Sequence, residues 1–308
     1  MSGVDERLDL IDAVIYGDAF DCAVTLEEAW RYSRARGTPE DLRARFGEPV
    51  LRQVIAVREG LCFLAGREAL GERRSARRER ARQLRLRARK VATWLQHAPF
   101  VRGILLTGSA AAEDAGERAD VDLLLIVGTG RVACTFVMLA GLSRLLSRSI
   151  LCPNYYLSEA HLVLARRDQY SARELAQAEI LAGNAHDLLS ANGWVTRLLP
   201  NAAPRGAAVS PLPGGPLLQR LFELPLRGRI GDRIERWAHR LAQARLAVHH
   251  GAFGRPVPQE VRDRFDAGIE LRFHGAPLVD ACLERYERRR AEVGACIEQL
   301  TAPAAVRR

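Results

Sequence analysis

The chain has 308 residues, 48% of them hydrophobic and 27% charged, with a formal net charge of +9. That length allows two or three domains around a sizeable core, and the composition excludes a wholly disordered chain, a collagen-like fibre or a low-complexity polymer. No run approaches the ~18–20 uninterrupted apolar residues of a membrane span, and the acidic opening MSGVDERLDL lacks the basic start and apolar run of a secretory signal, so the reading is a cytoplasmic protein with no membrane partner.

Residues 1–66 are expected to fold as a small helical unit. Leu8, Leu10, Ile11, Val14 and Ile15 give a helical apolar face. Thr25-Leu-Glu-Glu28 is a capping box, in which the threonine caps a helix start and Glu28 reaches back. Thr38-Pro39 opens a further helix, with proline at its preferred first position. Pro49–Val57 suggests a third, and Glu59-Gly60 turns the chain into an apolar strand, Leu61–Leu64. Helices followed by a strand and a turn resemble a winged helix-turn-helix in pattern.

Residues 67–98 read as one long basic helix, ended by Pro99. Between Arg67 and Lys90 eleven basic residues face only Glu68, Glu72 and Glu79, an excess of eight that accounts for nearly all of the net charge. These arginines fall on all sides of a helix and no aromatic residue interleaves them. A solvated helix between two domains therefore explains them as well as a nucleic-acid-binding one does.

Residues 99–170 read as a compact α/β unit. Val101–Leu106 is a buried strand, Gly108-Ser109 a turn opening a short helix, and Val121–Val127 a second strand. Arg131–Arg148 is an amphipathic helix and Ile150–Leu157 a third strand. Residues 171–308 are expected to be helical over Arg173–Leu199, 217–250 and 276–300, with a Pro-, Gly- and Ala-rich loop near 201–216. Six scattered cysteines form no C-x-x-C pair, which argues against a zinc site or a disulfide framework. His249-His250 and His274 lack partners at metal-ligand spacing.

The chemistry concentrates in Thr107-Gly108-Ser109 and Asp120-Val121-Asp122. A strand running into Gly108 must turn sharply, and glycine lets the backbone approach a ligand closely. The following helix start offers N–H groups and a positive dipole to phosphate, and Ser109 adds a hydroxyl. Asp120 and Asp122 lie two apart on the expected strand and so share a face. Paired carboxylates beside a phosphate turn suit a hard divalent cation such as Mg2+.

Strand, Gly-Ser turn, ten-residue spacer and Asp-x-Asp on the next strand together resemble the DNA polymerase β-like nucleotidyltransferase superfamily, over about residues 101–158. The resemblance implies an α+β fold with a small mixed-sheet core, a winged-helix-like N-terminal unit and a helical C-terminal region. It further implies a metal-dependent enzyme that moves a nucleoside monophosphate from an NTP to a hydroxyl on a small molecule, a protein or an RNA. Asp120 and Asp122 would hold Mg2+ (or Mn2+), and Thr107, Gly108 and Ser109 would bind the nucleotide. The family's third carboxylate is missing from the third strand. Asn154 stands in its place, with Glu159 just beyond. Phe100-Val-Arg102, Leu151–Tyr155, Ala191–Trp194 and Leu199–Asn201 also resemble a bacterial group of nucleotidyltransferase-domain proteins, which makes Asn192, Trp194 and Asn201 pocket candidates. The alternative is a nucleic-acid-binding or regulatory protein with a degenerate, nucleotide-sensing fold.

Overall fold

The computed structural model describes residues 3–146, 152–183, 185–203, 206, 208–252, 254–273 and 276–302. Ile150 and Leu151, at the start of the expected third strand, and His274 lie outside them.

The chain opens with α1 (Gly3–Ala19), β1 (Val24–Thr25), α2 (Leu26–Arg31), α3 (Pro39–Phe46), α4 (Leu51–Val54) and the hairpin β2 (Ile55–Arg58) and β3 (Leu61–Leu64). Strand β3 is central in an antiparallel sheet ordered β1-β3-β2. Both helix starts are boxed. Thr25 Oγ1 accepts from the Glu28 N–H at 3.1 Å while the Thr25 N–H donates to Glu28 Oε2 at 2.8 Å, and Thr38 and Asp41 repeat the arrangement. The expected third helix shrinks to the single turn of α4, because Ile55, Ala56 and Val57 leave it to pair with β3.

Helix α5 (Ala69–Leu95) leads into the larger layer: β4 (Val101–Leu106), α6 (Gly108–Ala111), β5 (Asp122–Val127), α7 (Val132–Leu146), β6 (Cys152–Ser158), α8 (Gln169–Gln177), β7 (Glu179–Gly183), α9 (Ala185–Ala191) and α10 (Val195–Leu198). Then follow α11 (Gly215–Glu223), α12 (Gly228–Gly251), α13 (Gln259–Asp266), β8 (Glu270–Arg272) and α14 (Ala276–Thr301). The sheet order is β7-β4-β5-β6-β8. Strands β5 and β6 are parallel, with α7 as their crossover, and the other pairs are antiparallel. Successive residues feed opposite faces. Ile104, Leu106, Leu123 and Leu125 pack with α5, α7 and α12, while Leu105, Leu124 and Ile126 pack with α8 and α9. Burial on both faces is why these strands read as unbroken apolar runs.

The expectation of helix throughout Arg173–Leu199 is corrected by β7. Glu179-Ile-Leu-Ala-Gly183 is rich in helix formers, yet pairing with β4 overrides that preference. The loop expected near 201–216 is free of helix and strand in its described residues up to Gly214. At the far end of the chain, Tyr286, Val293 and Ile297 of α14 complete the apolar cluster of α1, which includes Ile11, Ile15 and Tyr16.

The basic helix is pinned rather than bare. Arg85 Nε sits 2.8 Å from Glu179 and its Nη1 2.8 Å from Glu113. Arg89 also pairs with Glu179, and Arg78 with Glu113. Arg74 is buried, 2.7 Å from Glu28 of α2 and 3.3 Å from Asp114, which Arg77 also meets at 2.9 Å.

Candidate functional site

Strand β4 ends where Thr107 donates its N–H to Asp122 O at 3.0 Å. The chain then reverses at Gly108, whose φ of +66° favours glycine. A Cβ there would lie 2.2 Å from Asp122 Oδ2, so the absence of a side chain is what lets the turn rest on the carboxylate. Asp122 is the first residue of β5. Opposite it β6 carries a bulge: Leu123 pairs with Pro153 and Leu124 with Tyr155, leaving Asn154 as the extra residue. The buried Asn154 amide donates to Asp122 Oδ1. Asp120 precedes the strand and is exposed. Burial, and then the charge of Asp120, lift the Asp122 carboxyl to a pKa of about 7 against the pull of the Asn154 hydrogen bond.

This corner forms one wall of a cleft of about 310 Å3. Thr107, Gly108, Ser109, Asp122 and Asn154 line one side. Tyr16 and Phe20 of α1 stack on each other at 4.8 Å and line another. Helix α8 contributes Arg173, Glu174 and Gln177, and α5 contributes Arg74 and Arg77. The three arginines are already engaged. Arg74 and Arg77 face Glu28 and Asp114. Arg173 lies between the rings of Tyr16 and Tyr32, 4.8 and 4.0 Å from their centroids. Glu174 has a raised pKa because burial outweighs the Arg272 guanidinium, 3.3 Å away. Arg74 and Arg77 are thus matched by the carboxylates of Glu28 and Asp114, and of the three guanidiniums only Arg173 has no carboxylate partner among the described residues.

The sequence-expected residues divide three ways. Thr107, Gly108, Ser109, Asp122 and Asn154 converge on the cleft, and Asp120 stands close enough to act on Asp122 electrostatically. Glu159 does not join them. Its N–H bonds Val127 O at the other end of β5, some five residues or roughly 16 Å from Asp122. Asn192, Trp194 and Asn201 are structural. Buried Asn192 clamps Leu162, Leu164 and Leu188 backbone groups, Trp194 donates to it, and Asn201 ties down the Trp30 and Ala35 carbonyls. Glu174 was missed by sequence reasoning, since nothing local marks an acid inside an ordinary amphipathic helix. Among the described residues, no group of three or more His, Cys, Asp and Glu side chains could hold a metal ion, and no helix is long and apolar enough to cross a membrane. Compared with protein-family models, curated proteins and solved structures, the chain matches none.

Proposed function

We propose that this cleft is the active site of a divalent-metal-dependent nucleotidyltransferase, which moves a nucleoside monophosphate from an NTP to a hydroxyl acceptor. The observation carrying this reading is the Gly108 turn seated on Asp122, with Asn154 holding the same carboxylate, on the wall of a cleft large enough for a ligand. The donor set fits the ion. Asp120 and Asp122 offer hard oxygens, and a cation beside them would favour the ionised form of Asp122, which burial and then the charge of Asp120 disfavour. Magnesium tolerates so sparse a set because it takes one or two carboxylates and completes its shell with phosphates and water, and manganese uses the same oxygens. When bound, the ion supplies the charge neutralisation for phosphate that the cleft's engaged arginines do not.

Each residue then has a task. Thr107, Gly108 and Ser109 grip the triphosphate by hydroxyl and backbone N–H. Helix α6 is a single turn, so hydrogen bonds rather than a helix dipole carry the grip. Asn154 fixes the Asp122 carboxylate. The acceptor oxygen bonds the α-phosphorus, the bond from that phosphorus to the β-phosphate bridge breaks, and pyrophosphate leaves. The acceptor proton passes to Glu174, whose raised proton affinity suits a base.

The nucleic-acid alternative draws less support from α5. Seven of its arginines meet acids, leaving Arg73, Arg87 and Lys90 exposed without an ion pair among the described residues. The test incubates the protein with each α-labelled NTP and Mg2+ or Mn2+, following label onto protein, RNA or a metabolite extract. Transfer lost in Asp122→Asn supports the reading. Metal-dependent NTP binding without transfer selects the degenerate sensor, and absence of binding by all four NTPs rejects both.

A further inference from the structure

Helices α11 and α12 turn most of their large apolar side chains to solvent. On α11 the residues turned toward the body are small or polar. Gly215 lies against the His97 ring, Gln219 donates to the Ala98 and Val101 carbonyls at 2.9 and 2.8 Å, and Glu223 accepts from the Phe100 N–H and Arg102. Its large apolar side chains, Leu217, Leu218, Leu221 and Phe222, are 52–64% exposed. On α12, Gly231, Ala238, Ala242 and Leu246 pack inward, while Ile230, Trp237, Leu241 and Val248 stand 43–64% exposed. A solvent face this apolar marks a docking surface.

The pattern on α12 specifies what docks. Ile230, Trp237, Leu241 and Val248 are separated by seven, four and seven residues, which at ~100° per residue stacks them within about 20° of one line. In an a/d heptad seam half-buried Ile234 supplies the step between Ile230 and Trp237, and the small Ala244 stands at the step between Leu241 and Val248. Helices that lie on membranes present a broad apolar face, whereas a narrow a/d stripe is the geometry of helix pairing. Beside the seam is a hollow of about 260 Å3, lined by Phe100, Met138, Leu226, Ile234 and Trp237, which can take a side chain of an incoming helix.

Charge identifies the partner. The three acids of these helices are all engaged with the body of the protein. Glu223 pairs with Arg102, Asp232 with Arg131 at 3.0 Å, and Glu235 accepts from the Ala133 and Cys134 N–H groups. Arg220, Arg229, Arg233, Arg236, Arg240 and Arg245 are exposed, with no ion pair among the described residues. In the heptad frame Arg233 and Arg240 flank the seam at g positions, so pairing with a second copy would set arginine against arginine. We infer that α12, extended by α11, is the docking site for an acidic amphipathic helix of another protein, with Leu or Ile along its seam and Glu on its flanks. This surface is separate from the nucleotide cleft.

The test uses the full chain and two synthetic 21-residue helical peptides with the same Leu/Ile seam, one carrying Glu and the other Lys at e and g. By fluorescence anisotropy the Glu peptide should bind, more weakly at high salt, and the Lys peptide should bind at least tenfold less well. Trp237→Ser with Leu241→Ser should lose binding at least tenfold while keeping the circular-dichroism spectrum. Arg233→Glu with Arg240→Glu should invert the preference toward the Lys peptide, a gain that unfolding does not mimic. Equal affinity for both peptides, no inversion, a seam-dependent dimer in sedimentation, or seam-dependent capture by phosphatidylserine vesicles without peptide binding would each overturn the proposal.

Discussion

Asp122 is held where it least favours being charged: half-buried, beside Asp120, with one stabilising donor from Asn154. Its folded pKa of about 7 lies above the ordinary value of 3.8. The folded state therefore binds this proton more tightly than the unfolded state, and the stability so gained is complete below about pH 4 and lost as pH rises through 7. In EDTA, Asp122→Asn should stabilise the protein by on the order of 4 kcal/mol at pH 8 and by nothing at pH 4. A gain independent of pH in urea melts would show that burial, not charge, sets the difference. Asn154→Asp removes the donor and adds a third charge. It should lower metal-free stability by about 1–3 kcal/mol and enlarge the rise in Tm caused by Mg2+ beyond that of the native chain; a Tm indifferent to Mg2+ in both proteins would count against the metal site. Residues of this corner were legible in the sequence because glycine ahead of acids on apolar strands is a local oddity. Glu174 was not, because α8 brings it from far along the chain. Asn192 and Asn201 misled because an amide that clamps backbone has the same local signature as one that binds a ligand.

Among the elements, α5 departs furthest from its sequence reading. Its arginines read as lying on all sides of a solvated helix, and three-dimensional pairing turns many of them into ties to α2, β7 and the loop after α6. Acids from such distant positions cannot be matched to arginines by spacing. Arg74→Gln should cost about 3–5 kcal/mol, because it leaves Glu28 and Asp114 buried with unbalanced charge. Arg73→Gln, one residue away but exposed, should change stability by less than about 0.5 kcal/mol. Equal effects in parallel denaturation curves would return α5 to the solvated reading. Strand β7 shows the complementary limit. Its order of residues is compatible with helix, and only the open edge of β4 decides otherwise.

For the molecule as a whole, the apolar cluster under α1 spans the chain, since Tyr286, Val293 and Ile297 of α14 close it. Ile297→Ala should cost ~2–5 kcal/mol as a cavity in a buried cluster. It should also move a single coincident transition seen by tryptophan fluorescence and far-ultraviolet circular dichroism. Two separated transitions would mean that the N-terminal unit and the five-stranded sheet melt independently. The helical and strand content of each end was readable from periodicity, whereas their union was not, because contacts between α1 and α14 leave no trace in either local pattern.

The contact between Tyr16 and Tyr286, ring centroids 5.5 Å apart, ties the aromatic side of the cleft to the helix translated after every other described helix. A chain still on the ribosome, with α14 unmade, already contains each cleft-lining residue but lacks the helix against which α1 sets Tyr16 and Phe20. Closing so long a loop is the costly late event of folding. The aromatic side of the cleft therefore waits for α14, and a chain in which that helix is still unmade has the lining residues without the support that fixes them.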